Sequence, residues 1–257
     1  MAAFPIPDPT AVLLVMARIA GLVVTAPLFG HLMVPVRVRA GFVLLLALAL
    51  APAVTPPTLP RDLWQLAGAM GVETAVGALL GFVAQLVFAG VQLGGQIAGM
   101  QIGFGMANLI DPQSHAQTTV VAEWESLLAL LCFLVLDVHH LLLRALIDSF
   151  HAVPAGAAVL GATALRGVVA QAGTLFTIGV RIASPVLIVL LLANGALGVL
   201  ARTIPQLNVF VVGFPLNVGA GLLVLGASLP FTFRFLQHEF GGLAATLAWL
   251  VRGVSHG

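Results

Sequence analysis

The residues that could carry chemistry are few, and most of them interrupt apolar runs. Five ionisable side chains lie within or near such runs: Arg18, Glu73, Glu123, Glu125 and Arg181. A charge at membrane depth is costly and is usually paired or faces water. The possible pairs are Arg18 with Glu73, and Arg181 with Glu123 or Glu125. A structural ion pair is the simpler interpretation and a proton or ion pathway the sharper one.

A second group has metal-ligating chemistry, namely Asp137, His139, His140, Asp148 and His151. It is the only plausible metal cluster in the sequence, but it does not form the HExxH motif of a zinc hydrolase. A GxSxG elbow is also absent, and a Walker loop is excluded because the chain has no lysine. The single cysteine excludes a disulfide within the chain and a CxxC site. We therefore expect no catalytic residues, no cofactor and no metal, and a membrane protease is the weakest alternative.

The composition indicates an integral membrane protein. Of 257 residues, 60% are hydrophobic and 7% are charged, whereas a soluble domain carries about 25% charged residues. The net charge of +1, without a basic cluster, argues against nucleic-acid binding. The first basic residue, Arg18, already lies inside an apolar run, so we expect no cleaved signal peptide. Membrane lipid is the expected surrounding.

The order of apolar segments predicts an all-α fold in one domain, 1–257. A helix needs about 20 mostly apolar residues to cross a bilayer. Six stretches are candidates, and the second and fourth are short: 11–34, 38–54, 66–91, 120–136, 174–200 and 208–233. Segment 140–165 reads as a weaker, amphipathic helix. The tail, 234–257, is predicted to form one further amphipathic helix through Leu243, Leu247 and Leu250.

The third stretch and the residues that follow it carry small and polar side chains at helical spacing. Glycines four residues apart let another backbone approach closely, within one bundle or against another subunit. This predicted helix-packing face consists of Gly77, Gly81, Gly90, Gly94, Gly95 and Gly99. Three amides form a polar stripe that would either bond neighbouring helices or face a wet channel. They are Gln85, Gln92 and Gln96.

After this stretch comes a glycine-containing loop with bulky apolar residues. Two glycines permit movement, Met adapts its shape, and an Asp-Pro pair starts a turn. The loop could be a soft hydrophobic closure or a tightly packed re-entrant connection. Its candidate gating residues are Gly103, Phe104, Gly105, Met106, Leu109, Ile110, Asp111 and Pro112.

Four groups of motifs, in order along nearly the whole chain, resemble the FliR family of type III export proteins. They are ARIAG, TAPLFG and VPVRVR within 17–39; QIGFGM at 101–106 with DP at 111–112; HH, SFH and PAG within 139–156; and AN, ALG and PQLNVFVVGFP within 193–215. Two positions depart from the family pattern. Val138 stands where a glycine commonly precedes the histidine, and Asn217 stands where a lysine often follows the GFP turn.

The resemblance implies a non-enzymatic subunit of the flagellar export gate. Such proteins assemble as helical hairpins with FliP-like and FliQ-like subunits and an FlhB-like protein at the basal body in the bacterial inner membrane. The assembly passes unfolded flagellar polypeptides, and the loop 103–115 resembles the segment that plugs its pore. The injectisome counterpart, the SctT family, is an alternative, and an autonomous secondary transporter is a less favoured one.

Overall fold

The computed structural model describes residues 8–28, 30, 34–54, 62–105, 118–158, 161–204 and 208–255. Within these ranges every regular element is a helix, which confirms the predicted all-α class. The helices are α1 (Pro9–Thr25), α2 (Val36–Leu50), α3 (Leu63–Ile102), α4 (Val120–Val135), α5 (Val138–Ala152), α6 (Ala162–Thr203) and α7 (Val209–Ser255). A single 3₁₀ turn, Ala51–Ala53, follows α2.

Each of the six predicted stretches coincides with one helix, but the helix lengths differ from those predicted. Helices α3, α6 and α7 are long and apolar enough to cross a membrane. Helices α4 and α5, which meet at a 63° bend, count as a fourth candidate span if taken together. Helices α1 and α2 contain 17 and 15 residues and fall short of a full crossing. Among the described residues, three or four helices are therefore long and apolar enough to span, rather than six.

Two of the predicted boundaries are wrong for a common physical reason. The tail 234–257 is not a separate helix, because α7 continues without a break to Ser255. Polarity rises after position 233, but a change in polarity does not end a helix unless the backbone also turns. Conversely, segment 140–165 is not one helix. Helix α5 ends at Ala152, where Val153 is extended and Gly156 has a φ of 85°.

The chain divides into two compact units. Unit 1 contains residues 1–86, 133–172 and 240–257, and unit 2 contains residues 87–132 and 173–239. Fully buried Leu14, Leu80 and Leu146 belong to unit 1. The core of unit 2 gathers side chains from α3, α4, α6 and α7, namely Ala98, Ile102, Val121, Val186, Leu190 and Leu225. One domain over 1–257 stays a prediction.

Antiparallel hairpins are present in unit 2, as predicted. Helices α3 and α4 form one, because Gly95 meets Ala122 while Gly99 meets Thr119. Helices α6 and α7 form another. An added Cβ at Gly213 would lie 3.4 Å from Leu197, and Arg181 lies over the ring of Phe235. The two helices within each pair are therefore antiparallel.

Candidate functional site

The predicted Arg18–Glu73 pair is the centre of a buried polar network in unit 1. Arg18 lies on α1 and Glu73 on α3, and both residues have no exposed surface. The guanidinium Nε donates to Glu73 Oε2 at 2.5 Å. The other carboxylate oxygen, Oε1, accepts a hydrogen bond of 2.8 Å from the amide of Gly156. Both carboxylate oxygens are thus satisfied.

The remaining guanidinium nitrogens bind the end of α5. Nη1 donates to Ser149 Oγ at 3.1 Å, and Nη2 donates to the carbonyl of Val153 at 3.0 Å. The Cζ atom lies 4.2 Å from the centroid of the Phe150 ring, which adds a cation–π contact. One planar five-donor group therefore ties α1 to α3 and to the residues that end α5.

Sequence reasoning predicted the ion pair but missed these additional partners. Ser149, Val153 and Gly156 lie in the SFH and PAG region of the family resemblance. That signal could have pointed to them, since Ser149 is the fully buried polar residue of α5. No spacing rule, however, links position 18 with position 149.

The first glycines of the predicted helix-packing face allow α1 to lie against α3. A Cβ atom at Gly77 would overlap the carbonyl oxygen of Arg18, and one at Gly81 would overlap the hydroxyl of Thr25. Gly21 on α1 likewise permits the close contact, because a Cβ atom there would overlap the carbonyl oxygen of Thr74. This close approach brings the backbones together at the level of the ion pair.

The other glycines of the set face different helices, so the set does not form a single face. In unit 2, Gly90 and Gly94 face α6, and a Cβ at either position would lie 2.8 Å from its nearest α6 atom. Gly95 faces α4, where a Cβ would lie 2.5 Å from the Cα of Ala122. Gly99 faces Thr119, the residue directly before α4. All six glycines thus make contacts within this chain.

The three glutamines of the predicted polar stripe are placed differently. Gln85 and Gln92 are exposed on α3, whereas Gln96 is half-buried and has an interaction partner. Gln85 also borders a cleft with Phe82 and residues 24–27 in unit 1. The two exposed amides are available to water or to another chain. The role of the stripe stays a prediction.

The second predicted ion pair is wrong. Arg181 makes no ion pair with Glu123 or Glu125, and its Cζ atom lies 5.8 Å from the ring centroid of Phe235. Glu123 and Arg181 are exposed, but Glu125 is only 3% exposed. Within the part of the chain that the structure describes, Glu125 Oε2 has no hydrogen-bond partner. Helical spacing alone could not show which way these side chains point.

The end of α3 fixes the start of the predicted closure. Gly103 has a φ of 113° and donates to the carbonyl of Met100 at 3.1 Å. Phe104 donates to the carbonyl of Gly99 at 3.0 Å. These two bonds form a Schellman motif, which a left-handed glycine permits. The helix therefore stops at a defined turn.

Phe104 then folds back onto this chain. Its half-buried side chain packs against the unit 2 core, whose members include Ile102 and Leu225. It also borders an apolar cleft of about 330 Å³ beside Trp124 and Leu229. Gly105 is half-buried. The other candidate gating residues lie outside the described residues: Met106, Leu109, Ile110, Asp111 and Pro112.

The predicted ligating set is only partly brought together. Ligand atoms of Asp137, His139 and His140 lie within 4.8 Å of one another, and Asp148 and His151 do not belong to this group. Asp137, with φ 54°, is the described non-glycine residue with a left-handed backbone. Val138 follows it inside α5, so the position that is commonly glycine is ordinary helix here.

The other departure from the family pattern makes a neutral contact between helices. Asn217 on α7 donates from Nδ2 to Asn194 Oδ1 on α6 at 3.0 Å. Its own Oδ1 is buried and has no hydrogen-bond partner among the described residues. At the position where a lysine was expected, the neutral amide of Asn217 thus donates a hydrogen bond to Asn194.

Comparison with known proteins agrees with this architecture. The family model described as bacterial export proteins, family 1, matches residues 10–243. This chain belongs to that family. Its relatives include the flagellar biosynthetic protein FliR of Bacillus subtilis (strain 168), which is 37% identical over 234 residues, covering 90% of each chain. FliR of Escherichia coli (strain K12) is 34% identical over 234 residues, covering 91% of this chain and 90% of its own.

A third relative extends the same similarity to another bacterium. FliR of Caulobacter vibrioides is 35% identical over 218 residues, covering 84% of this chain and 87% of its own. The range matched by the family model, 10–243, includes all four stretches that carried the resemblance. It also includes nearly all of α1, all of α2 to α6, the ion-pair network and most of α7.

Proposed function

We propose that this FliR-family chain is a non-enzymatic subunit of the flagellar type III export gate in the bacterial inner membrane. It assembles with FliP-like and FliQ-like subunits and an FlhB-like protein. Unfolded flagellar polypeptides pass through the resulting channel. The relatives named above are all flagellar biosynthetic proteins, which favours flagellar over injectisome use.

The observation that carries this proposal is the length of the apolar helices. Helices α3, α6 and α7 contain 40, 42 and 47 residues. At 1.5 Å per residue they are about 60 to 70 Å long. The hydrocarbon core of a bilayer is about 30 Å thick. Lipid can therefore cover only about half of each helix, and the rest must be covered by other helices of this chain or by a protein partner.

The exposed surfaces of α6 and α7 agree with this need. Only 33% of the most apolar window of α6 and 17% of that of α7 are buried within the chain. Lipid covers the part of this surface that lies in the bilayer, and an exposed apolar surface outside it is typical of an interaction face. Its exposed side chains include Leu191, Leu192, Val199, Val211, Phe214, Leu222, Leu223 and Phe231.

Copurification and secretion test the proposal together. Removing the gene should abolish flagellin secretion and motility, and the wild-type gene should restore both. The tagged chain should copurify with FliP-like and FliQ-like subunits. Expressed alone, it should aggregate or be degraded. A long-lived, monodisperse monomer in mild detergent, or normal secretion in the deletion strain, would contradict the proposal.

For the segment 103–112 we propose closure of the channel. Support comes from the fixed turn at Gly103, after which the sequence places bulky apolar residues at 104, 106, 109 and 110. Apolar constrictions can close a pore by excluding water. Phe104 packs on its own chain, so the test deletion should begin at Met106 and spare the core.

The deletion of residues 106–110 should leave the subunits assembled but make cells leaky, with raised sensitivity to sodium. The matched control replaces the same five residues by a Leu- and Met-containing sequence of equal length, which should stay tight. Loss of assembly in the deletion without a leak from any assembled variant would indicate a packing role instead.

A further inference from the structure

The bend between α4 and α5 brings three metal-ligating side chains together. Asp137 lies between the helices, and His139 and His140 belong to the first turn of α5. Asp137 Oδ1 lies 3.2 Å from His140 Nδ1 and 3.9 Å from His139 Nε2. The three candidate ligand atoms lie within 4.8 Å of one another.

Neighbouring residues of a helix point about 100° apart, so His139 and His140 would not ordinarily converge. Here their ring centroids are only 4.2 Å apart, with planes tilted by 36°. The left-handed backbone of Asp137 turns its carboxylate toward both rings. The convergence therefore depends on the bend and not on a helical repeat.

The carboxylate of Asp137 does not cap helix α5. An aspartate at this position ordinarily accepts a hydrogen bond from the first free amides of the helix. Asp137 makes no such bond to α5. Its oxygen faces the two imidazoles, leaving the helix amides without this cap.

The distances suit a first-row divalent cation. Nitrogen and oxygen ligands bind zinc at about 2.0 to 2.2 Å, which places tetrahedral ligand atoms roughly 3.3 to 3.5 Å apart. The observed 3.2 Å, which is a hydrogen bond between His140 and Asp137, and 3.9 Å lie on either side of that range, and all three ligand atoms lie within 4.8 Å of one another, so a small adjustment would complete the site. Two imidazoles and a carboxylate are a donor set found at zinc and other transition-metal sites.

The site is anchored on one side and open on the other. His139 is 23% exposed, and its ring centroid lies 6.4 Å from that of Phe133. Asp137 and His140 are 71% and 62% exposed. An ion can therefore reach a partly positioned ligand, and the two exposed side chains can adjust around it.

We propose that Asp137, His139 and His140 bind one divalent transition-metal ion of the zinc class, with solvent at the remaining position. The ion ties Asp137, at the bend between α4 and α5, to the first turn of α5 and so braces the bend. This site is independent of the proposed export function, because none of its ligands belongs to the closure segment or to the exposed α6 and α7 surface.

The test uses the full chain, purified without a histidine tag together with the subunits that remain bound to it. Zinc content after equilibrium dialysis and zinc affinity by competition with a chromogenic chelator are measured at pH 7.5. The site variants are Asp137→Asn and His140→Gln. Both change exposed side chains and keep hydrogen-bonding groups, and asparagine tolerates the left-handed backbone.

The matched control is the double variant His151→Gln/His238→Gln, which removes two exposed histidines outside the cluster. Wild type and control should each bind one zinc ion more per chain than Asp137→Asn/His140→Gln. Each single site variant should weaken binding at least about tenfold. Zinc should also raise the unfolding temperature of wild type but not of the site variants.

The proposal is overturned if wild type holds no more zinc than the double site variant. It is also overturned if the control loses as much affinity as the site variants. Retention of full affinity by His140→Gln would likewise exclude this ligand set, because glutamine preserves only the hydrogen bond to Asp137.

Discussion

Units 1 and 2 each bury one glutamate on an apolar helix, and the two carboxylates have opposite surroundings. Glu73 in unit 1 has both oxygens bonded, to Arg18 and to the amide of Gly156. Glu125 in unit 2 leaves Oε2 without a partner among the described residues. Similar sequence settings thus produced a carboxylate with both oxygens bonded in unit 1 and one with an unbonded oxygen in unit 2.

This difference means that stability accounts for the one glutamate and not for the other. Breaking a buried ion pair by removing one partner is costly, because the remaining charge stays in an apolar environment. A buried acid with no partner already lowers stability. Glu73 is therefore explained by the fold of unit 1. The fold of unit 2 gives no such reason for Glu125.

The largest expected effect follows from breaking the network in unit 1. Arg18→Leu or Glu73→Leu should each lower the free energy of unfolding by about 3–5 kcal/mol. The double variant should lose less than the sum, because no unpaired charge remains. SDS or thermal unfolding of the detergent-solubilised complex measures all three. Additive losses would show that the two residues act independently.

Arg18→Lys sharpens the same point. Lysine keeps the charge but cannot donate to Glu73, Ser149 and Val153 from one planar group. It should recover only part of the loss seen with Arg18→Leu. Full recovery of the free energy of unfolding would mean that the positive charge alone, and not the set of hydrogen bonds from the guanidinium, stabilises unit 1.

Next in size are the close helix contacts of unit 2. Gly90→Ala and Gly94→Ala should each cost about 1–3 kcal/mol by overpacking α3 against α6. Gly68→Ala and Gly71→Ala on the same helix are the matched controls, since nothing lies within 4 Å of an added Cβ. They should be neutral or stabilising by up to about 1 kcal/mol. Equal effects at all four positions would contradict the contact.

Glu125→Leu should have the opposite sign to Glu73→Leu. Removing the unsatisfied carboxylate should raise the free energy of unfolding by at least about 1 kcal/mol. The same unfolding measurement applies. A loss of several kcal/mol would show that another chain of the assembly supplies a partner for Glu125. Normal stability with lost secretion would indicate a functional role for the acid.

The smallest expected effect belongs to a solvent-exposed carboxylate that serves as the reference. Hydrogen bonds from the hydroxyl and amide of Thr10 lower the pKa of Asp8. A lowered pKa means that the contribution to stability is present above the unfolded pKa and is lost as pH falls through the folded one. The first turn of α1 should therefore fray slightly in acid. Asp8→Ala should remove this pH dependence of amide exchange.

The sequence predicted what depends on composition and local periodicity. Continuous apolar runs predicted every helix of the six stretches, and opposite charges at Arg18 and Glu73 predicted a pair that the structure contains. Glycine spacing predicted close helix approach at Gly77 and Gly94. These features need only the side chains themselves and the repeat of a helix.

Direction and distance could not be predicted in the same way. Gly94 and Gly95 are adjacent, yet they contact α6 and α4 respectively, so helical spacing did not identify the partners. Arg181 could have reached an acid but lies over Phe235, because α6 pairs with α7 at that level. The convergence of Asp137 and His139 depends on a 63° bend that follows no repeat.

The bonds of Arg18 also impose an order on biosynthesis. Glu73 follows 55 residues later, and Ser149 and Val153 follow 131 and 135 residues later. At roughly 5–20 residues per second, the last partner is synthesised about 7–27 s after the arginine. During that interval the nascent α1 carries a charge whose bonding is incomplete. A chain arrested after residue 100 should therefore be a better substrate for membrane proteases than one arrested after residue 200.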